Sequence, residues 1–195
     1  SALFCLLFGV NGFAICLGSA FLGMLLLPIV FMWAKDIGGR TAGLASLAVC
    51  VIGPHAFFMF QSAPRGGYMA TLLLGSSLMW LSANTAQTVW RGQPIRCGRI
   101  FLIGFLSGLG WWTSQLILAA LVSACAVIII GCRGRPSLKI VFIAFLAFLI
   151  GSLPFWLWNA THDWATFNIA ANLGRLDVRT GVPFLIEQYK RLMSY

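Results

Sequence analysis

Long runs of apolar residues, separated by short polar segments, dominate this amino-acid sequence. A transmembrane helix needs about 20 predominantly apolar residues, and several of the runs approach or exceed that length. The runs therefore predict an all-α fold, a polytopic transmembrane helix bundle of about six spans. The predicted spans are about 12–33, 42–60, 68–83, 100–112, 116–131 and 138–158.

The composition excludes a soluble globular domain, a disordered chain and a disulfide-rich secreted scaffold. The chain is 60% hydrophobic and 9% charged, whereas soluble domains are about 45–50% apolar and about 25% charged. Its six cysteines form no Cys-x-x-Cys pair, and most of them lie in apolar runs. We therefore expect the cysteines to pack between helices and not to bind metal or form disulfides.

Lysine and arginine are distributed unevenly among the segments between the runs. The net charge is +9, but no basic patch is interleaved with aromatic residues, so nucleic acid is not an expected partner. On one side of the predicted bundle only Arg65 lies in a short segment. The other side holds eight basic residues: Lys35, Arg40, Arg91, Arg96, Arg99, Arg133, Arg135 and Lys139.

This asymmetry predicts the orientation of the chain, because cytoplasmic loops of membrane proteins collect lysine and arginine. Segments 35–40, 85–99 and 132–138 are predicted to be cytoplasmic. Segments 61–67 and 111–115 are predicted to face outward, together with an interfacial tail at 159–195. Residues 1–11 are apolar but too short to span, and a chain that begins without Met inside apolar sequence is expected to be a fragment.

Two candidate substrate-binding residues belong to the second run and the segment after it. His55 follows Pro54 in apolar sequence, where it either packs with a satisfied partner or lines a cavity. Arg65 lies in Ala-Pro-Arg-Gly-Gly-Tyr, at 63–68, where proline and glycine favour a fixed turn. It can pair with a phosphate of a lipid substrate or extend toward the headgroups. Tyr68, which ends this stretch, is a third candidate.

Four further candidates lie in the other outward-facing segments. Trp112 and Gln115 follow Gly108-Leu109-Gly110, which indicates either a tight helical hairpin or a cavity wall that opens at the outer face. The spacing of Gly104 and Gly108 also allows two helices to approach closely. His162 and Asp163 lie in a polar cluster directly after a tryptophan-rich exit from the last span. Asp36, in contrast, is expected to be a solvated loop residue.

Three stretches resemble polytopic glycosyltransferases of the GT-C superfamily, the group that includes protein mannosyltransferases and aminoarabinose transferases. The first, AKDIGGRTAGLA at 34–45 and onward to Pro54, is similar to a cytoplasmic turn and its following span. The second, GLGWWT at 108–113, is similar to a Gly-Leu-aromatic turn between spans. The third, at 153–167, is similar to the exit into a later outer loop. The stretches are spread over most of the chain, from residue 34 to residue 167.

The resemblance implies transfer of a sugar from a polyprenyl-phosphate carrier to a cell-envelope lipid, glycan or protein. It places the enzyme in the bacterial inner (plasma) membrane, with membrane lipids around it and its active site at the outer face. The family's catalytic carboxylate lies in the first large outer loop, so we expect it upstream of Ser1 and expect this fragment alone to be inactive. Met69 and Ala70 stand where many relatives carry a further acid. No cofactor is expected, and no metal-ligand cluster indicates a divalent cation.

Two other functions remain open at the level of the sequence. A transporter or flippase of a lipid-linked or small substrate would use short, glycine-interrupted spans of the kind found here. No charged residue lies in the middle of a predicted span, however, and no inverted repeat is visible. The third hypothesis is a non-catalytic membrane scaffold.

Overall fold

The fold of the chain is all-α wherever it is described. A computed structural model describes residues 2–9, 11–52, 67–132 and 137–167, and these ranges contain no β-strand. A 3-10 turn, Gln115–Ile117, joins the fourth and fifth helices. The helices are α1 (Ala2–Phe8), α2 (Gly12–Ile52), α3 (Tyr68–Trp90), α4 (Cys97–Thr113), α5 (Leu118–Gly131), α6 (Leu138–Gly151) and α7 (Leu153–Thr161). The chain divides into two compact units, residues 1–154 and 155–195.

Helix α2 is broken at Gly39 into two limbs, residues 12–38 and 40–52. Gly39 has φ 78° and ψ −174°, a conformation that only glycine adopts readily. Gly43 lies so close to Phe31 that a β-carbon on it would be 2.8 Å from the Phe31 ring. Residues twelve positions apart in a straight helix would be about 18 Å apart. The second limb therefore folds back along the first, at the polar segment that the sequence predicted between two spans.

Asp36, just before this break, joins the α2 hairpin to α3. Its Oδ2 accepts a hydrogen bond from Trp80 Nε1 at 2.8 Å and another from Asn84 Nδ2 at 3.3 Å. The side chain is exposed, as expected. The expectation of a merely solvated loop residue was nevertheless wrong, because Asp36 belongs to the helical segment and its carboxylate contacts the neighbouring helix.

The first unit has two ends of different chemistry. Arg99 Nη1 donates to Thr88 Oγ1 at 3.0 Å, and a β-carbon on Gly67 would lie 3.3 Å from the Thr113 carbonyl oxygen. Helices α3 and α4 are therefore antiparallel. We call the end formed by residues 91–99 and 137–139 the basic end, and the end formed by residues 67–68 and 111–117 the Tyr68 end.

The closest helix contact in the first unit joins α4 to α6. A β-carbon on Gly104 would meet Ala144 and Ala147, and one on Gly108 would lie 2.7 Å from the Ser152 amide nitrogen. A β-carbon on Gly151 would lie 3.0 Å from the Leu109 amide nitrogen. Residue numbers rise together along both helices, so α4 and α6 run parallel. The Gly104–Gly108 spacing thus brings two backbones together, as predicted, and the partner helix is α6.

Several helices differ in extent from the apolar runs that predicted them. Helix α3 continues beyond residue 83 to Trp90, because its polar side chains bond within the helix: Thr85 and Thr88 donate to the carbonyls of Leu81 and Asn84. The run at 138–158 is divided at Ser152 between α6 and α7. Residues 53–60 of the second run lie outside the described ranges.

By length and hydropathy, one helix of the described chain is a clear candidate to cross a membrane. This helix is α2, with a mean hydropathy of 2.4 in its most apolar window. Helices α6 and α7 meet the criterion only if they form one broken span. Helix α5 has 14 residues and, at 1.5 Å per residue, is shorter than the roughly 30 Å hydrocarbon layer. Signal sequences and core helices also meet this criterion, so α2 alone gives weak support for a membrane protein.

The α4–α6 contact predicts how a methyl group added at Gly108 changes the stability of the fold. We expect Gly108→Ala to lower the free energy of unfolding by about 1–3 kcal/mol, because the new β-carbon would push the two backbones apart. Denaturant unfolding in detergent micelles measures this change. The matched control is Gly12→Ala, where a β-carbon would meet no atom within 4 Å. Equal stability of the two variants would contradict the close contact.

Candidate functional site

An apolar groove lies between α4, α5 and α6 in the described first unit. It consists of two cavities that share Leu121, Cys125, Ile129 and Phe148 in their walls. The Trp111 cavity, about 540 Å³, includes Trp111 and Leu118 near the Tyr68 end. The Ile100 cavity, about 380 Å³, includes Ile100, Ile140 and Val141 near the basic end. The groove therefore runs lengthwise between the two ends.

The walls of this groove are almost wholly apolar. Apart from the buried indole N–H of Trp111, Ser107 and Cys125 are the polar or sulfur-bearing side chains among its lining residues, and the Ser107 hydroxyl donates to the Ile103 carbonyl at 2.7 Å. Trp111 packs against Phe148 across the groove with 6.5 Å between ring centroids. A hydrocarbon chain is the ligand that such walls suit, since they offer almost nothing to a polar group.

Three of the predicted site residues lie at the Tyr68 end. Tyr68 begins α3, and its neighbour Gly67 approaches Thr113, directly before the segment that carries Gln115. Tyr68, Trp112 and Gln115 are all exposed. Trp112 does not line the groove. Its neighbour Trp111 does, because adjacent residues point about 100° apart around a helix.

His162 and Asp163 lie in the second unit, in a turn that follows α7. The His162 ring stacks on Trp158, with 4.5 Å between centroids and 12° between planes. Its Nδ1 lies 2.9 Å from the Trp158 carbonyl oxygen and 2.9 Å from Thr161 Oγ1. A carbonyl oxygen can only accept, so we infer that Nδ1 carries the proton. In the neutral ring Nε2 then holds the lone pair, and it can accept a hydrogen bond.

The turn that presents His162 is organised by Asn159. This side chain is fully buried; its Nδ2 donates to the Phe155 carbonyl at 3.0 Å, and its Oδ1 accepts from the Thr166 amide at 3.3 Å. The Asn159 carbonyl also accepts from the His162 and Trp164 amides. The sequence placed Asn159 in a polar cluster but gave no signal that this asparagine supports the turn.

The turn contains two successive non-glycine residues with left-handed backbone, Asp163 at φ 49° and Trp164 at φ 55°. Such a conformation costs roughly 1–3 kcal/mol for each residue, less for aspartate than for tryptophan. The hydrogen bonds to Asn159 and the Trp164–Phe167 ring contact at 5.9 Å offset part of this cost. Asp163 is exposed.

Two predicted site residues, His55 and Arg65, lie outside the described residues. Within the described ranges no group of three histidine, cysteine, aspartate or glutamate side chains is placed to hold a metal ion. The predicted candidates therefore fall into two described sets: Tyr68, Trp112 and Gln115 in the first unit, and His162 with Asp163 in the second.

Comparisons with protein-family models, with curated proteins and with solved structures give no match to this chain. The resemblance to GT-C glycosyltransferases therefore remains a prediction from the three sequence stretches.

The role of Asn159 predicts a local change in hydrogen exchange. We expect Asn159→Ala to accelerate exchange of the Thr166 amide about tenfold, because that amide loses its acceptor. Hydrogen–deuterium exchange of a peptide covering 159–167 measures the rate. The matched control, Thr166→Ala, keeps both the amide and its acceptor and should leave the rate unchanged. Unaltered exchange in Asn159→Ala would contradict the assigned role.

Proposed function

We propose that this chain is the membrane-embedded part of a GT-C-type glycosyltransferase with about six spans. It would move a sugar from a polyprenyl-phosphate carrier to a lipid, glycan or protein acceptor of the cell envelope, at the outer face of the membrane. The observation that carries the proposal is the apolar groove between α4, α5 and α6, since a polyprenyl donor needs an apolar path for its hydrocarbon chain.

The exposed apolar surface supports a membrane setting for these helices. Met24 on α2, Val122 on α5 and Phe142 on α6 are 65%, 62% and 65% exposed. Each large apolar side chain left in water forgoes about 1.5–3 kcal/mol relative to burial. A hydrocarbon layer removes this penalty without any further protein contact.

Hydroxyl groups on the helices support the same setting. On the exposed side of α5, Ser123 Oγ donates to the Ala119 carbonyl oxygen at 2.8 Å. Thr113 and Ser77 likewise donate to carbonyls four residues earlier. Helices in lipid must satisfy their polar groups internally, because no water reaches them. Such bonds keep each hydroxyl compatible with hydrocarbon.

The Tyr68 end supplies polar groups near one mouth of the groove. With the donor chain in the Trp111 cavity, its phosphate would lie toward this end, where Tyr68 and Gln115 can donate hydrogen bonds. Positive-inside orientation places this end outward. His162 and Asp163 in the second unit, together with Arg65 and His55, stay the other predicted substrate-binding candidates.

The alternative function is transport or flipping of a lipid-linked or small substrate. The break at Ser152 between α6 and α7 favours it, because discontinuous helices are typical of transporters. Movement of a polyprenyl-phosphate sugar across proteoliposomes without any sugar transfer would support this alternative against the enzyme.

A groove-filling substitution tests the donor path. We expect Ala126→Trp, in the wall of the Trp111 cavity, to weaken polyprenyl-phosphate binding at least tenfold, roughly the effect of losing 1.4 kcal/mol of affinity. Binding is measured by fluorescence titration in nanodiscs. Ala119→Trp is the matched control, since Ala119 is also exposed on α5 but does not line the groove. Equal affinity of the two variants would contradict the path.

Sugar transfer itself is tested with a radiolabelled polyprenyl-phosphate sugar. We expect proteoliposomes that hold the longest form of the protein containing this chain to move label to an envelope acceptor. His162→Phe keeps a ring to stack on Trp158 but removes both ring nitrogens, and we expect it to reduce transfer about a hundredfold, the lower end of the range for a positioned acid–base group. Transfer by the 195-residue chain alone would contradict the expectation that the catalytic carboxylate lies upstream of Ser1.

A further inference from the structure

Two helices of the first unit begin at the basic end and run parallel from it. Helix α4 starts at Cys97 and α6 at Leu138, and their close contact keeps them side by side. The amino terminus of a helix carries a partial positive charge and unsatisfied amide groups, so it attracts anions. Because the helices are parallel, both termini lie at the basic end, toward one end of the groove.

The two termini differ in how their amides are satisfied. At α6 the Ser137 hydroxyl accepts from the Ile140 amide at 3.4 Å. At α4 the residue before the helix is Arg96, which provides no side-chain acceptor. Among the described residues, no acceptor meets the amides of Cys97 or Gly98. A β-carbon on Gly98 would meet no atom within 4 Å, so the space there is open.

Three basic residues lie within two positions of these two helix starts. Arg96 and Lys139 are exposed, and Arg99 is half-buried, using one guanidinium nitrogen for Thr88. The described ranges contain two acids, of which Asp36 accepts from Trp80 and Asn84, and Asp163 belongs to the second unit. Within the described first unit, no carboxylate is thus paired with these three cations.

The Ile100 cavity lies at this basic end as well. Arg99 and Lys139 directly precede Ile100 and Ile140, and both isoleucines line that cavity. The positive charge and the open amides therefore lie at the same end of the first unit as an apolar cavity of about 380 Å³. A single ligand with a phosphate and a hydrocarbon chain would satisfy all three.

We propose that the basic end binds an anionic phospholipid of the cytoplasmic leaflet. The phosphodiester accepts from the Cys97 and Gly98 amides and from Arg96, Arg99 and Lys139, and one acyl chain enters the Ile100 cavity. The proposal rests on the membrane-embedding part of the proposed function. It assigns this mouth to a bilayer lipid, whereas the polyprenyl donor enters from the Tyr68 end.

The test is lipid competition in nanodiscs of phosphatidylcholine that contain the chain. We expect spin-labelled phosphatidylglycerol to associate more strongly than spin-labelled phosphatidylcholine, by roughly fivefold for each cation engaged. The preference should persist in excess inorganic phosphate, which lacks the acyl chain. Equal association of the two lipids would overturn the proposal. Displacement by an equal amount of polyprenyl phosphate would also overturn it, since the mouth would then belong to the donor.

Paired variants locate the site. Arg96→Gln with Lys139→Gln should reduce the preference about tenfold or more, whereas Lys35→Gln with Arg40→Gln removes the same charge from the α2 hairpin and should change it less than twofold. Equal losses in the two pairs would overturn the proposal, because only net charge would then matter.

The open amide has its own test. Cys97→Pro removes one amide hydrogen and suits the first helical position, because Arg96 has an extended backbone at φ −76° and ψ 123°. We expect it to weaken phosphatidylglycerol association several-fold, whereas Cys97→Ala keeps the amide and should not. Wild-type strength in Cys97→Pro would overturn the amide contact.

Failure of this proposal is distinct from failure of the proposed function. A chain that carbonate extracts from membranes would contradict the membrane setting before any lipid is compared. An inserted chain that lacks sugar transfer but prefers phosphatidylglycerol would contradict only the enzyme.

Discussion

The close contact between α4 and α6 determines where the helix termini and the apolar groove of the first unit lie. Gly104, Gly108 and Gly151 have no side chains, so the two backbones touch, and dispersion over this contact holds the two helices together. Because the helices are parallel, both of their amino termini fall at the basic end. Helix α5 packs against α3 and leaves space between itself and the α4–α6 pair, so the groove remains. The position of both helix termini at the basic end and the apolar groove therefore depend on the same α4–α6 contact.

The sequence predicts the helices of the first unit better than it predicts which helices contact each other. Apolar runs and polar punctuation predict helices, and the Gly104–Gly108 spacing predicts a close contact. Spacing within one helix does not reveal which other helix it faces, however, and α6 lies far along the chain. The break at Gly39 was predicted as a polar segment, but the folding back of the limbs becomes visible only through the Gly43–Phe31 contact. Similarly, Asp36 resembles any exposed acid until Trp80 is beside it.

Some residues of the candidate site could likewise be predicted from the sequence, and others could not. Polar residues in an apolar chain draw attention wherever they stand, so Tyr68, Gln115 and His162 could be chosen from the sequence. Choosing between Trp111 and Trp112 requires the phase of α4, which the apolar surroundings on every side conceal. Asn159 was overlooked because its importance lies in what it bonds: a fully buried amide between Phe155 and Thr166. The amides of Cys97 and Gly98 are open because no side chain caps the start of α4. The pattern of residues did not predict this.

In the membrane setting proposed above, the break at Gly39 also bears on how the chain would enter the bilayer during synthesis. The first limb of α2 exposes apolar side chains over much of its length, and the turn carries Lys35, Asp36 and Arg40. Two apolar limbs that meet at such a short charged turn can insert as a helical hairpin. The charges then stay at the surface where synthesis takes place, and neither limb has to draw them across the hydrocarbon. A glycine whose backbone allows that reversal would thereby set the orientation of the helices that follow.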